Sequence, residues 1–300
     1  MKKRLSILLC VCLLCGCGSK SDQDKAETET PAPTEETAAE TPAPAEETVS
    51  ETQTPEAQTA EETADAAAES ADAKESGSPV YACRTFDYYD YAKPVPASAN
   101  ISDDYYQDVM IAGDSRVGSL YLFTDLRDKG AEIWYTTSIT LWRIYDLAPD
   151  EGSDEAMFDL IMDTERNNIY ILIGINEIRN SNFDAWKEEF SAVLDELLSK
   201  HADDSIYLIL NYQPRSLANI DDASLRQHVE EQNTRLKQIA EEKRIYYIDI
   251  SDEMTDDNGL VKDELVWDGL HFNIDGAKQF ADYLGRHVVR EDNYVKEICE

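Results

Sequence analysis

Between residues 108 and 290 the apolar residues fall into two alternating patterns. The first is short and continuous: DVMIAG (108–113), AEIWYTTS (131–138), NNIYILIGI (167–175), SIYLILNY (205–212) and RIYYIDI (244–250). Runs that are apolar at nearly every position, rather than every second one, suit strands covered on both faces. The second pattern is helical. FDAWKEEFSAVLDELLSKH (183–201) sets Trp186, Phe190, Val193, Leu194 and Leu197 on one stripe, and DDASLRQHVEEQNTRLKQIAEEK (221–243) and NIDGAKQFADYLGRHVV (273–289) repeat the theme. SDEAMFDLIMDTER (153–166) reads as a further helix with Ser153 as its cap.

Five strands alternating with amphipathic helices predict an α/β fold: a three-layer α/β/α sandwich around a central parallel sheet. Sheets of this kind present functional residues at the carboxyl ends of their strands. Ser115, in MIAGDSRVGS (110–119), follows the first strand, and Asn176 follows the third. The serine by itself is ambiguous, since Asp-Ser is also a favoured helix start.

The ends of the chain differ from this middle. MKKR is a basic start, LSILLCVCLL is apolar but shorter than the ~20 residues of a membrane span, and Leu14-Cys15-Gly16-Cys17 follows. This is the pattern of a signal peptide, and Leu-x-Gly-Cys resembles the lipobox of bacterial lipoproteins. The resemblance implies removal of residues 1–16 and a lipid on Cys17; ordinary secretory cleavage is the alternative. Residues 17–79 are dominated by Glu, Thr, Ala, Pro and Ser, without an aromatic residue, and cannot offset the entropy of ordering. They are expected to be a disordered acidic tether, followed by a tyrosine-rich arm (80–104) and one domain (105–300).

Charge narrows the partners. Of the formal net charge of −35, residues 80–300 carry −24 once the basic start and the tether are set aside. A domain so acidic will not seek nucleic acid or anionic lipid by charge. After cleavage and lipidation only Cys83 and Cys299 remain. An exterior location permits a disulfide between them, with two free thiols as the alternative.

A serine nucleophile needs an imidazole, a carboxylate to orient it and donors for the oxyanion. The chain has four histidines. His201 and His228 lie on polar helix faces and read as solvated, and His287 reads as surface. His271 stands in VWDGLHFNIDG, just before the last helix, with Asp268 three residues earlier. GDS after the first strand, GxN after the third and DGLHF before the last helix resemble the conserved blocks of the SGNH (GDSL-type) hydrolase superfamily, across roughly residues 105–290. The resemblance implies a flavodoxin-like fold and ester hydrolysis without a metal or other cofactor. It makes Ser115 the nucleophile, His271 the general base and acid, and Asp268 the orienting carboxylate. Asn176 and the Ser115 N–H become oxyanion donors, and Gly174 the turn beneath them.

Three departures stand out. The second block, YTTSITLW, lacks the family's glycine; Ser138 or Thr137 could supply the remaining N–H, because that donor is main chain. The third block ends Gly-Ile-Asn-Glu rather than Gly-x-Asn-Asp, which lengthens the side chain of Glu177 by one carbon. Arg116 stands where GDSL has leucine, either facing an anionic substrate group or paired with a nearby carboxylate. Asp114 reads as a cap. Arg116, Gly174 and Trp267 are candidates for the substrate pocket, with core packing the alternative for Trp267 and Trp142. MTDDNGLVKDE (254–264) fails the EF-hand spacing, so no metal is expected.

The implied function is an extracytoplasmic, lipid-anchored serine esterase acting through an acyl-enzyme. It would remove short acyl groups, acetyl foremost, from a carbohydrate or other small ester. A cell-envelope O-acyltransferase with the same triad and an inactive glycan-binding lipoprotein are the rival readings.

Overall fold

The computed structural model describes residues 83–290 and 293–299. The signal peptide, Cys17 and the tether expected from the sequence lie outside the described residues. The central sheet has five parallel strands: β2 (Val109–Asp114), β3 (Glu132–Thr136), β4 (Asn168–Leu172), β5 (Ser205–Ile209) and β6 (Tyr246–Ile248). A first strand, β1 (Cys83–Asp87), lies outside it and pairs antiparallel with β7 (Val295–Cys299) in a separate ribbon.

The central order is β3-β2-β4-β5-β6, with every neighbouring pair parallel. This is the doubly wound order of flavodoxin-like folds, whose ligand crevice opens where the winding reverses. Here that point lies between β2 and β4. Gly113 is the last residue but one of β2 there, and a Cβ on it would come within 2.1 Å of the Leu172 carbonyl oxygen. The close approach of β2 and β4 therefore requires glycine at the residue two before Ser115.

Successive strand residues face opposite layers. Val109 and Ile111 join Val117 and Leu120 of α1 (Ser115–Phe123) and Phe280 and Leu284 of α6 (Ile274–Arg286). Met110 and Ala112 join Met157 and Phe158 of α2 (Met157–Asp163) and Trp186 and Phe190 of α3 (Phe183–Lys200). The same second core holds Leu236 and Ile239 of α4 (Asp222–Lys243), and a single turn, α5 (Ser251–Met254), follows β6. A continuous apolar strand is what this two-sided burial demands.

Several local expectations need correction. The helix expected from Ser153 begins at Met157, after Ala156; Ser153 Oγ instead accepts the Glu155 N–H in a turn. His201 is not solvated: it is buried, with Nδ1 2.6 Å from Asp204 Oδ2 and Nε2 3.1 Å from the Met162 carbonyl. His287 is likewise buried, its ring stacked on Tyr283 at 3.7 Å. His228 is partly covered, bonded to the Ile178 carbonyl. In the arm, Tyr89 packs edge-on against Tyr246 and Tyr294, and Val95 N–H bonds to the Tyr247 carbonyl. The arm thus lines the β6 edge of the sheet.

Candidate active site

Ser115 is the first residue of α1, directly after β2. Asp114 caps that helix, its Oδ1 accepting the Arg116 N–H at 3.0 Å. Ser115 remains partly exposed at the switch point. Its Oγ lies 2.8 Å from His271 Nε2, and His271 Nδ1 lies 2.8 Å from Asp268 Oδ2.

The loop that brings His271 there is a tight turn closed by an antiparallel bridge between Val266 and Phe272. Trp267 N–H bonds to the His271 carbonyl, and Gly269 takes a φ of +83°. Asp268 Oδ1 accepts the Leu270 and His271 N–H groups at 3.0 and 2.9 Å, so one carboxylate both shapes the turn and holds the ring. Partial burial pushes the Asp268 carboxyl up, but these N–H groups and the imidazole outweigh it and leave it below its ordinary range. From beyond β5, Tyr212 Oη donates to the Leu270 carbonyl and Arg215 N–H to that of Gly269. These two supports carried no motif signal, because they become neighbours of the loop only through the fold.

Around the serine, α1 offers first-turn N–H groups without intrahelical acceptors. Thr137 is engaged elsewhere: its N–H and Oγ1 both bond to Asp150. Ser138 is different. It is exposed, has a φ of +59°, and its N–H donates to no partner among the described residues. This is the left-handed region that a glycine would occupy without strain. Of the two N–H groups left open by the sequence, that of Thr137 is taken by Asp150 and that of Ser138 is not. Asn176 lies in a short helical turn after Gly174, and its Nδ2 donates to the Ile139 carbonyl at 2.8 Å. An amide nitrogen has two hydrogens, so one is left for another acceptor.

The pocket candidates separate. Arg116 is not a pocket residue: it is fully buried, and its Nε and Nη2 bond to Asp114 Oδ1 and Oδ2 at 2.9 and 2.7 Å. Burial works against the guanidinium charge, but the neighbouring Asp114 carboxylate outweighs it, so the guanidinium holds its proton more firmly. Gly174 is also buried, a turn residue at φ +123° whose carbonyl accepts from Gln232 Nε2. Trp267 is 64% exposed beside Asp268, its ring 6.3 Å from that of Phe123, and Trp142 is exposed after the Ser138 segment. Among the described residues no group of three His, Cys, Asp or Glu is arranged to hold a metal ion.

A model of the GDSL-like lipase/acylhydrolase family matches residues 113–279, more than half of the chain. The chain belongs to this family. It is a serine ester hydrolase of the SGNH superfamily, with the three-layer fold expected from its sequence. No curated protein matches it. Among solved structures it is similar to a GDSL-like lipase from Bacteroides thetaiotaomicron, at 14% identity and a TM-score of 0.46 over 63% of this chain and 88% of that one. It is also similar to an acetyl xylan esterase, at 15% identity and a TM-score of 0.44 over 60% of this chain and 100% of that one. Both scores lie below 0.5, and neither likeness carries an argument about substrate.

Proposed function

We propose that this SGNH hydrolase removes short acyl groups, acetyl foremost, from a carbohydrate outside the cytoplasm. The observation that carries the reading is the unbroken line Ser115 Oγ–His271 Nε2 and His271 Nδ1–Asp268 Oδ2, each 2.8 Å. In that role Ser115 passes its proton to Nε2 as Oγ attacks the ester carbonyl. The oxyanion accepts from the Ser115 and Ser138 N–H groups and the free hydrogen of Asn176 Nδ2, each worth ~2.7–4 kcal/mol in the transition state. The carbon–oxygen bond to the alcohol then breaks, and the alcohol leaves with the His271 proton. Water, deprotonated by His271, attacks the acyl-enzyme, and the carboxylic acid is released as Ser115 regains its proton. Asp268 holds the imidazole throughout.

Two features favour a large alcohol. The Asp268 side chain is 56% exposed and that of His271 36%, so a bulky leaving group can approach. Trp267 adds an exposed ring beside them, a surface on which a sugar can stack. The exterior location is part of the proposal and rests on the leader: cleavage before Cys17, a lipid there, and residues 17–79 as a tether to the membrane face.

Nitrophenyl esters of increasing acyl length are the test. Turnover is expected to be highest for acetate and to vanish in Ser115→Ala and His271→Ala. Asp268→Asn keeps acceptors for the turn but not the right tautomer, and is expected to lose roughly 10⁴-fold in kcat. Absence of fluorophosphonate labelling in folded protein would overturn the catalytic reading. Acyl transfer to an added sugar in preference to water would make the enzyme a transferase. Palmitate incorporation that persists in Cys17→Ala would overturn the anchor.

A further inference from the structure

The segment that leaves β3 has an unusual task. It must present the Ser138 peptide, yet it contains no glycine and passes through a left-handed serine. Two adjacent residues of the turn after β4 grip it two positions apart. Asn176 Nδ2 donates to the Ile139 carbonyl, and Glu177 Oε1 accepts the Leu141 N–H at 2.5 Å. Glu177 is 3% exposed, and its other oxygen, Oε2, has no hydrogen-bond partner. A buried carboxylate with one partner is costly, and an amide of the same shape would fill the space at less expense.

We propose that Glu177 is a positioning residue for the oxyanion site: its carboxylate fixes the Ser138–Leu141 segment, and so the Ser138 N–H, relative to Ser115. The inference rests on the reading of Ser138 as an oxyanion donor. It gives a purpose to the longer side chain at this position, since the carboxylate must cross from the β4 turn to the segment beyond β3.

The surroundings make this grip sensitive to pH. Burial pushes the Glu177 carboxyl up to about 7, against the opposing pull of the Leu141 N–H. Asp114, at the end of β2, acts in the same direction as burial. The other charged group here is Arg116 on α1, already paired with Asp114, with the Tyr212 ring 5.5 Å from its guanidinium. Above pH 7 the ionised carboxylate accepts the N–H about twice as strongly as a neutral oxygen does.

The test compares wild type, Glu177→Gln, Glu177→Ala and Ser115→Ala on nitrophenyl acetate, using the full chain. Rates are expressed per active site counted by end-point fluorophosphonate titration, which removes any loss of folded protein. Glu177→Gln is expected to match wild type within about twofold at pH 6 and fall about fivefold in kcat at pH 8, with KM little changed. Groups common to both proteins cancel in that ratio. Glu177→Ala is expected to lose on the order of 10–100-fold in kcat at both pH values. Full kcat per site at pH 6 and 8 in both Glu177 variants would overturn the proposal. If the alanine variant yields no titratable site, the glutamine variant decides alone. Activity surviving in Ser115→Ala would instead overturn the reading of the site itself.

Discussion

Arg116 and Asp114 close on each other beneath the serine that separates them, both fully buried, with two side-chain bonds of 2.9 and 2.7 Å. Removing one partner strands a charge in the interior. Arg116→Leu is therefore expected to destabilise the domain by about 3–5 kcal/mol. Asp114→Asn/Arg116→Leu keeps an acceptor for the Arg116-position N–H and removes both charges, so most of the loss should return. Urea unfolding of the two variants measures this, and a single-variant cost below 1 kcal/mol would show the pair to be dispensable.

Ser138 occupies a φ of +59° with a Cβ that this region penalises. Ser138→Gly removes a penalty of about 1–2 kcal/mol and adds a smaller entropy cost in the unfolded chain. The expected outcome is a gain of about 0.5–1 kcal/mol, and under the proposed function esterase activity is retained, because the group proposed as oxyanion donor is main chain. A melting temperature below that of wild type would contradict the left-handed assignment.

Glu177 makes stability depend on pH in a direction opposite to that of most carboxylates. Its folded value, about 7, lies above the ordinary 4.5. The folded state thus binds the extra proton, and its stability falls as pH rises from about 4.5 through 7. At about 1.4 kcal/mol for each tenfold change in acidity the effect is on the order of 3 kcal/mol. Glu177→Gln should match wild type near pH 4 and exceed it in stability at pH 8. A difference that does not change with pH would refute the burial argument. Expected activity and stability move in opposite directions at this residue, as a carboxylate kept for function would have it.

The ribbon of β1 and β7 sets Cys83 opposite Cys299. Antiparallel partners of this kind have Cα atoms about 4.5–5.5 Å apart, within the window of roughly 4.4–6.8 Å that a disulfide needs. Protein exposed to oxygen is expected to contain no alkylatable thiol at these two positions without reductant. Cys83→Ser should then lower stability by about 2–4 kcal/mol. Quantitative alkylation of both residues in unreduced, unfolded protein would exclude the bridge.

The sheet was legible in the sequence because strands buried on both faces must be apolar throughout, as in NNIYILIGI, and this sets them apart from the helical stripes between. β1 and β7 were not legible. CRTFD and VKEIC are short and mixed, and what makes them strands is the pairing of two segments some 200 residues apart in the chain. The buried His201 and His287 were misread for a related reason, since a polar helix position says nothing of the loop or ring that covers it.

By itself the sequence determined the order of strands and helices, the serine at a strand end and the Asp-x-x-His turn, because each of these follows from local spacing. Only the tertiary structure decided that Arg116 turns inward to Asp114 rather than outward to a ligand. It also decided that the Thr137 N–H bonds to Asp150 while Ser138 turns into the left-handed region, and that Glu177 reaches Leu141. Those outcomes depend on which buried polar group finds a partner across the sheet edge, and distance in space, not spacing along the chain, settles that competition.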